Sequence, residues 1–129
     1  MVPRFLTLEE VLEIHADQIE RYGGSRGTRD TDLLQSAIAM PESGFGEHYL
    51  HADLFEMAAA YLFHLVQNHP FVDGNKRVGA MAAFTFLKLH GLTLTAGNMA
   101  FESVVLSVAQ SKMGKAGVDE FLRKHAKKK

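Results

Sequence analysis

The chain contains no cysteine, carries almost no net charge, and has no apolar run long enough to cross a bilayer. The first absence excludes disulfides and thiolate metal sites, and it suits a reducing compartment. The second, −1 from 14 cations against 15 anions, leaves no overall field to draw the protein to nucleic acid or an anionic membrane. The third removes a spanning segment, and the opening "MVPRFLTLEE" lacks the apolar stretch of a signal peptide. A cytoplasmic protein that contacts neither nucleic acid nor membrane is expected. What is present is ordinary for a globule. The 129 residues, 47% hydrophobic and 22% charged, suffice for one domain over residues 1–129 whose core needs no staples.

Periodicity predicts helices throughout. "TLEEVLEIHADQIERYGG" opens with Thr7 and Glu10 in capping-box spacing, places Leu8, Val11, Leu12, His15, Ile19 and Tyr22 on one face, and stops at Gly23 and Gly24. "SRGTRD" reads as a loop. A second helix starts near Asp30 or Thr31, buries Leu33, Leu34, Ala37 and Ile38, and ends before Pro41. "PESGFGEHYLH" is rich in breakers and reads as an irregular loop or small hairpin. A third helix runs from about Asp53 to Asn68. A fourth, from about Asn75 to His90, is apolar nearly all round and is expected at the centre. After Gly91, "LTLT" is a short extended piece. Asn98 is placed to cap a fifth helix with Phe101, Val104, Val105 and Val108 inward. A sixth holds Val118, Phe121 and Leu122 and frays into the solvated basic tail "KHAKKK". The expected fold is an all-α, compact bundle of six helices.

Between the third and fourth helices lies "HPFVDGNKR", His69 to Arg77, far more polar than its flanks. Proline pushes His69 out of helical geometry, so it stands at the mouth of the third helix. Phe71 pins the loop, and Gly74 permits a tight turn. The fourth helix then starts with unpaired N–H groups and partial positive charge. Lys76 and Arg77 add two cations there, unfavourable by about 0.3–1 kcal/mol each unless an anion binds. Glycine turn, free N–H groups, lysine and arginine together form a phosphate cradle. Asp73 is placed to hold a divalent metal on those phosphates or, more simply, to cap the helix. His69 is placed to accept a proton or to be a polar helix end.

"HPFVDGNKR" resembles the signature of the Fic/Doc (Fido) superfamily, H-P-F-x-[D/E]-G-N-x-R. "IERYGGSRGTRD", "LLQSAIAMPE" and the "FL-x-x-x-G" ending of the fourth helix are similar to the death-on-curing (Doc) branch. The likeness runs from about Leu8 to Leu122. It implies a compact fold around a buried central helix, with a flap. Fic members mostly transfer AMP from ATP to a protein hydroxyl. Doc toxins transfer the γ-phosphate of ATP to a threonine of elongation factor Tu, which halts translation, and a partner antitoxin neutralises them. AMP-transferring members usually carry glycine where this chain has Lys76 and a second arginine where it has Ala80, so the Doc branch is expected. The resemblance implies His69 as general base, Asp73 as the anchor of Mg²⁺, Gly74 and Asn75 as backbone and amide donors to phosphate, and Lys76 and Arg77 as stabilisers of the moving phosphoryl group. It also puts Gly44, Phe45 and Gly46 in a flap that pairs with the target peptide. Arg21, in the "RYGG" corner, is a weaker phosphate-binding candidate. The implied partners are a Phd-like antitoxin with a disordered segment that folds over the cleft, and elongation factor Tu as target.

Three other readings stand beside this one. They are AMP transfer, a module that holds nucleotide or antitoxin without turnover, and a zinc hydrolase built on His48 and His51 at i,i+3 spacing. No HExxH pattern supports the last. His15 and His64 fall within helices and read as core-edge residues with hydrogen-bond partners.

Overall fold

The structure, a computed structural model, describes residues 2–45 and 48–128, with the backbone alone at Phe45. It comprises α1 (Leu8–Tyr22), α2 (Thr31–Ala39), a 3-10 turn (Met40–Glu42), strands β1 (Gly44–Phe45) and β2 (His48–Tyr49), α3 (Leu54–Asn68), α4 (Asn75–Leu89), β3 (Leu92–Leu94), α5 (Asn98–Ala109), α6 (Lys115–His125) and β4 (Ala126–Lys128). The all-α class expected from periodicity is the class observed.

Local chemistry starts the first three helices. Thr7 and Glu10 exchange hydrogen bonds with each other's backbone in the predicted capping box. Asp30 accepts from the Leu33 N–H, and Asp53 from the Glu56 N–H. α3 and α4 share the centre. α3, not predicted to be central, is buried along the whole run Met57–Leu62 and again at Leu65 and Val66. α4 buries Val78, Gly79, Ala82, Ala83, Phe86 and Leu87 against it. The two cross closely because position 79 is glycine. A Cβ there would lie 2.7 Å from Val66 Cγ2 and 3.1 Å from the Leu62 carbonyl oxygen.

Three local expectations are corrected. The buried face of α1 runs through Val11, His15, Gln18 and Ile19, while Leu12 and Tyr22 are exposed. That face follows the packing against α4 and the loop between α3 and α4 rather than the sum of apolar positions. Gly97, not Asn98, occupies the N-cap of α5. Of the two forms expected for "PESGFGEHYLH", the small hairpin is the one observed, antiparallel, with Gly44 opposite Tyr49 and Phe45 opposite His48. The basic tail does not fray: Ala126–Lys128 pairs antiparallel with Leu92–Leu94, so the backbone hydrogen bonds of the "LTL" strand are met by the chain's far end.

Candidate active site

α3 ends at Asn68 and α4 begins at Asn75, and the six residues between them form a tightly tied loop. Pro70 forces the chain out of the helix, but His69 leaves into the left-handed region (φ +50°, ψ +53°) rather than the extended one. Such a conformation costs a non-glycine residue about 1–3 kcal/mol and persists only where its surroundings fix it. The fixing groups are present. Asn75 is buried, and its side-chain amide accepts from the Phe71 N–H (2.9 Å) and donates to the Phe71 carbonyl (3.0 Å). Phe71 is buried and its ring stacks on His15, with centroids 3.9 Å apart. The Nε2–H of His15 donates to the Asp73 carbonyl at 2.9 Å. A carbonyl can only accept, so this ring nitrogen carries the proton.

α4 starts without the side-chain cap that α1, α2 and α3 have. Its N-cap is Gly74 (φ +80°), and no acidic residue lies in its first turn. Asp73 does not cap it. The carboxylate accepts instead from the N–H of Ser25 (3.0 Å) and that of its neighbour Gly74 (2.8 Å). These two bonds, in that order, and then the Arg77 guanidinium hold its pKa below the ordinary carboxylate range, so it stays ionised. The "GGS" corner meets the site closely. At Gly24 (φ +119°) a Cβ would stand 2.6 Å from Asp73 Oδ2 and 3.0 Å from Arg77 Nη2.

Two clefts open on this helix start. One, of about 390 Å³, is lined by His69, Asp73, Gly74, Asn75, Lys76 and Arg77 with Val66, Val72 and Ala109. The second, of about 640 Å³, is lined by Lys76 and Arg77 again, with Gln18, Tyr22, Ala80, Asn98, Glu102, Val105 and Leu106. Lys76 and Arg77 form the wall common to both. Arg77 is half-buried and steadied by the Gln18 carbonyl, to which its Nη1 donates at 3.1 Å. Two cations above uncapped helical N–H groups, with clefts on either side, make a place for an anionic chain that spans both.

The family model of the Fic/DOC family matches residues 5–87. The chain belongs to the Fic/Doc family. The matched region runs from before α1 into α4 and so contains the whole loop that carries the site. Relatives fall in the death-on-curing branch. A protein of Mycolicibacterium smegmatis named Toxin Doc is 41% identical over 75 residues, covering 58% of this chain and 58% of that protein. A protein of Escherichia phage P1 named Protein kinase doc is 32% identical over 117 residues, covering 84% of this chain and 92% of that protein.

Of the residues predicted from the family signature, the fold brings His69, Asp73, Gly74, Asn75, Lys76 and Arg77 into one cleft. Asn75 differs from expectation in one respect. Its side-chain amide is buried and engaged with Phe71, so its backbone N–H is the donor left for an anion. Arg21 does not join the site. It is exposed and folds back on Asp17, one turn earlier, with Nε 2.8 Å from the carboxylate. Tyr22 beside it lines the second cleft instead. Gly44 and Phe45 lie in β1, while Gly46 falls outside the described residues. Sequence reasoning missed His15, Gln18, Gly24, Ser25 and Arg29, all of which touch the site loop or Arg77. For Gly24, Ser25 and Arg29 the one signal was "IERYGGSRGTRD", whose glycines read equally well as a helix stop; His15 and Gln18 lie before that stretch.

The residues fit a magnesium ion as a one-carboxylate anchor. Each Asp73 oxygen takes one backbone N–H and keeps a lone pair. Among the described residues no group of three or more His, Cys, Asp or Glu could hold a metal unaided. That suits Mg²⁺, which takes most of its ligands from water and substrate phosphates.

Proposed function

We propose that this chain is a Doc-like toxin of a toxin–antitoxin system. It transfers the γ-phosphate of ATP to a serine or threonine hydroxyl of a protein. The observation that carries the reading is the single cleft holding His69, Asp73, Lys76 and Arg77 at an uncapped helix start. The names of the two relatives, a toxin and a protein kinase, point the same way.

The chemistry is mostly placement and charge. The ATP polyphosphate lies across the α4 N-terminus, with its terminal phosphate toward His69. Lys76 and Arg77 draw the equatorial oxygens of the moving group and hold charge that would otherwise build up in the transition state. Mg²⁺ anchored by Asp73 would neutralise phosphate charge. The His69 imidazole takes the proton of the target hydroxyl as that oxygen bonds to the γ-phosphorus. The bond from phosphorus to the β–γ bridging oxygen breaks, and ADP leaves. The hairpin β1–β2 offers strand edges on which a target segment can pair its backbone. Elongation factor Tu is the target that the family resemblance suggests, which would make the outcome translation arrest. A Phd-like antitoxin with a disordered segment would cover the cleft until the toxin is needed.

Two side chains support phosphate transfer over AMP transfer. The Lys76 stem fills space that glycine would leave open above the helix start. Ala80, on the second cleft, offers no arginine to clamp phosphates there. Intact mass spectrometry of the target after incubation with Mg-ATP tests this. An added mass of about 80 Da is expected, and about 329 Da, the AMP adduct, would overturn the reading. Absence of any adduct on elongation factor Tu, with transfer to another protein, would remove the target alone.

A further inference from the structure

The loop before α2 has no motif of its own, yet it is stitched along the active-site loop. The Val72 N–H donates to the Gly27 carbonyl at 3.0 Å. The N–H groups of Arg29 and Asp30 both donate to the Pro70 carbonyl, at 2.7 and 3.0 Å. The Arg29 side chain goes further. Its Nε donates to the His69 carbonyl at 2.7 Å and its Nη2 to the Asn68 carbonyl at 3.0 Å.

Those two carbonyls belong to the two peptide planes that meet at the His69 Cα. The Asn68 carbonyl fixes the plane before it, and the His69 carbonyl the plane after it. A rigid guanidinium gripping both sets φ and ψ of His69 together. Those angles, +50° and +53°, are in the left-handed region that an L-residue avoids unless held there. With the backbone fixed, the direction of the Cα–Cβ bond is fixed too, and with it the origin of the imidazole. The grip is also electrostatically sound, because the last carbonyls of α3 lack helical partners and face the negative end of its dipole.

We propose that Arg29 is a positioning residue that holds His69 in its left-handed turn and so aims the imidazole into the cleft. The catalytic consequence rests on His69 being the general base. The backbone consequence does not. A simple helix-capping role would affect stability but would not single out His69.

The test compares Arg29→Ala and Arg29→Lys with the wild type by three readouts: the ¹³Cα and ¹³Cβ shifts of His69, Mg-ATP affinity, and single-turnover transfer. In Arg29→Ala the His69 shifts should leave their left-handed values and nucleotide affinity should hold. Transfer should fall on the order of 10²-fold, the usual scale for a misplaced catalytic group. Arg29→Lys, with a point charge in place of a planar fork, should recover only part of the rate. In a His69→Ala background, Arg29→Ala should cost nothing further. Left-handed shifts retained in Arg29→Ala would overturn the proposal, as would an equal loss of rate in the His69→Ala background. Should Arg29→Ala fail to fold, the shifts of Arg29→Lys decide, with wild-type values counting against the proposal. A wild type that transfers no phosphate sinks the functional reading alone, since the shifts still judge Arg29.

Discussion

α3 and its C-cap carry two histidines, five residues apart in sequence, and they live in opposite circumstances. Just past its end, His69 is exposed at the start of the loop that leads to Lys76 and Arg77. Within it, half-buried His64 turns to Lys115, as does buried His51 from the segment after the hairpin. The Lys115 Nζ lies 3.0 Å from His51 Nε2 and 3.4 Å from His64 Nε2. An ammonium only donates, so both rings accept through Nε2 and carry their proton on Nδ1. In this second cluster the cation is spent on its imidazoles, and it ties the hairpin exit, α3 and α6 together, while the buried Nδ1 of His51 is left without a hydrogen-bond partner. At the first, the cations face open clefts, the helix start has no cap, and a backbone strain is held in place. Residue type does not separate a site from a structural tie. Whether the cations turn to neighbouring side chains or to open clefts does. The same comparison disposes of a zinc site on His48 and His51, since His48 is exposed on β2 while His51 is buried against Lys115. An i,i+3 spacing brings two side chains together on a helix, and the chain there is a strand and a bend.

If that difference is real, the two regions should respond oppositely to substitution. The largest effect is expected at His69. His69→Ala should lower transfer by about 10²–10⁴-fold, the range for losing a general base. Its thermal midpoint should barely move, because the side chain is exposed and Arg29 binds only the residue's carbonyl. Transfer at near wild-type rate would remove His69 from the mechanism.

How far this was readable from sequence varies by region. The capping box and the α3 and α4 boundaries are local, carried by residues a few positions apart, and periodicity and caps reveal them; the polar cluster of "HPFVDGNKR" is equally local. What supports the site is not local. Arg29, Ser25 and Gly24 reach the loop across 40 or more residues, mostly through backbone groups or by having no side chain. Such contacts leave no periodic trace. The tail misled for the same reason, since its partner strand lies more than 30 residues upstream. Arg21 misled because adjacency to the "GG" corner says nothing about which way a helical side chain points.

A second, smaller effect sharpens the comparison from inside the active loop. Asn75 looks like a site residue but is spent on structure, as the Lys115 cluster is. Asn75→Ala should leave the buried N–H and carbonyl of Phe71 without partners, at about 1–3 kcal/mol each. Urea unfolding should show a clear fall in midpoint with unchanged slope, unlike His69→Ala. An unmoved midpoint would mean that water replaces the amide, and the pinning role would fail.

The smallest effect concerns pH and the second cluster. Burial, then the charge of Lys115, then His51, pushes His64 down to about 4, and burial and Lys115 lower His51 as well. In the unfolded chain both titrate near the ordinary value of about 6.5. A histidine depressed in the fold is neutral there while the unfolded chain gains a proton. Its stabilising contribution is therefore complete above about 6.5 and is lost as pH falls from there toward about 4. Between pH 7 and 5, above the range of most carboxylates, the urea midpoint should fall for the wild type. His64→Gln keeps an acceptor for Lys115 but cannot titrate, so its profile should be flatter. Lys115→Met should flatten the profile only partly, because burial is the larger cause and remains. Parallel profiles for the wild type and His64→Gln would show that the cluster is not desolvated as described. The contrast with the exposed junction would then rest on geometry alone.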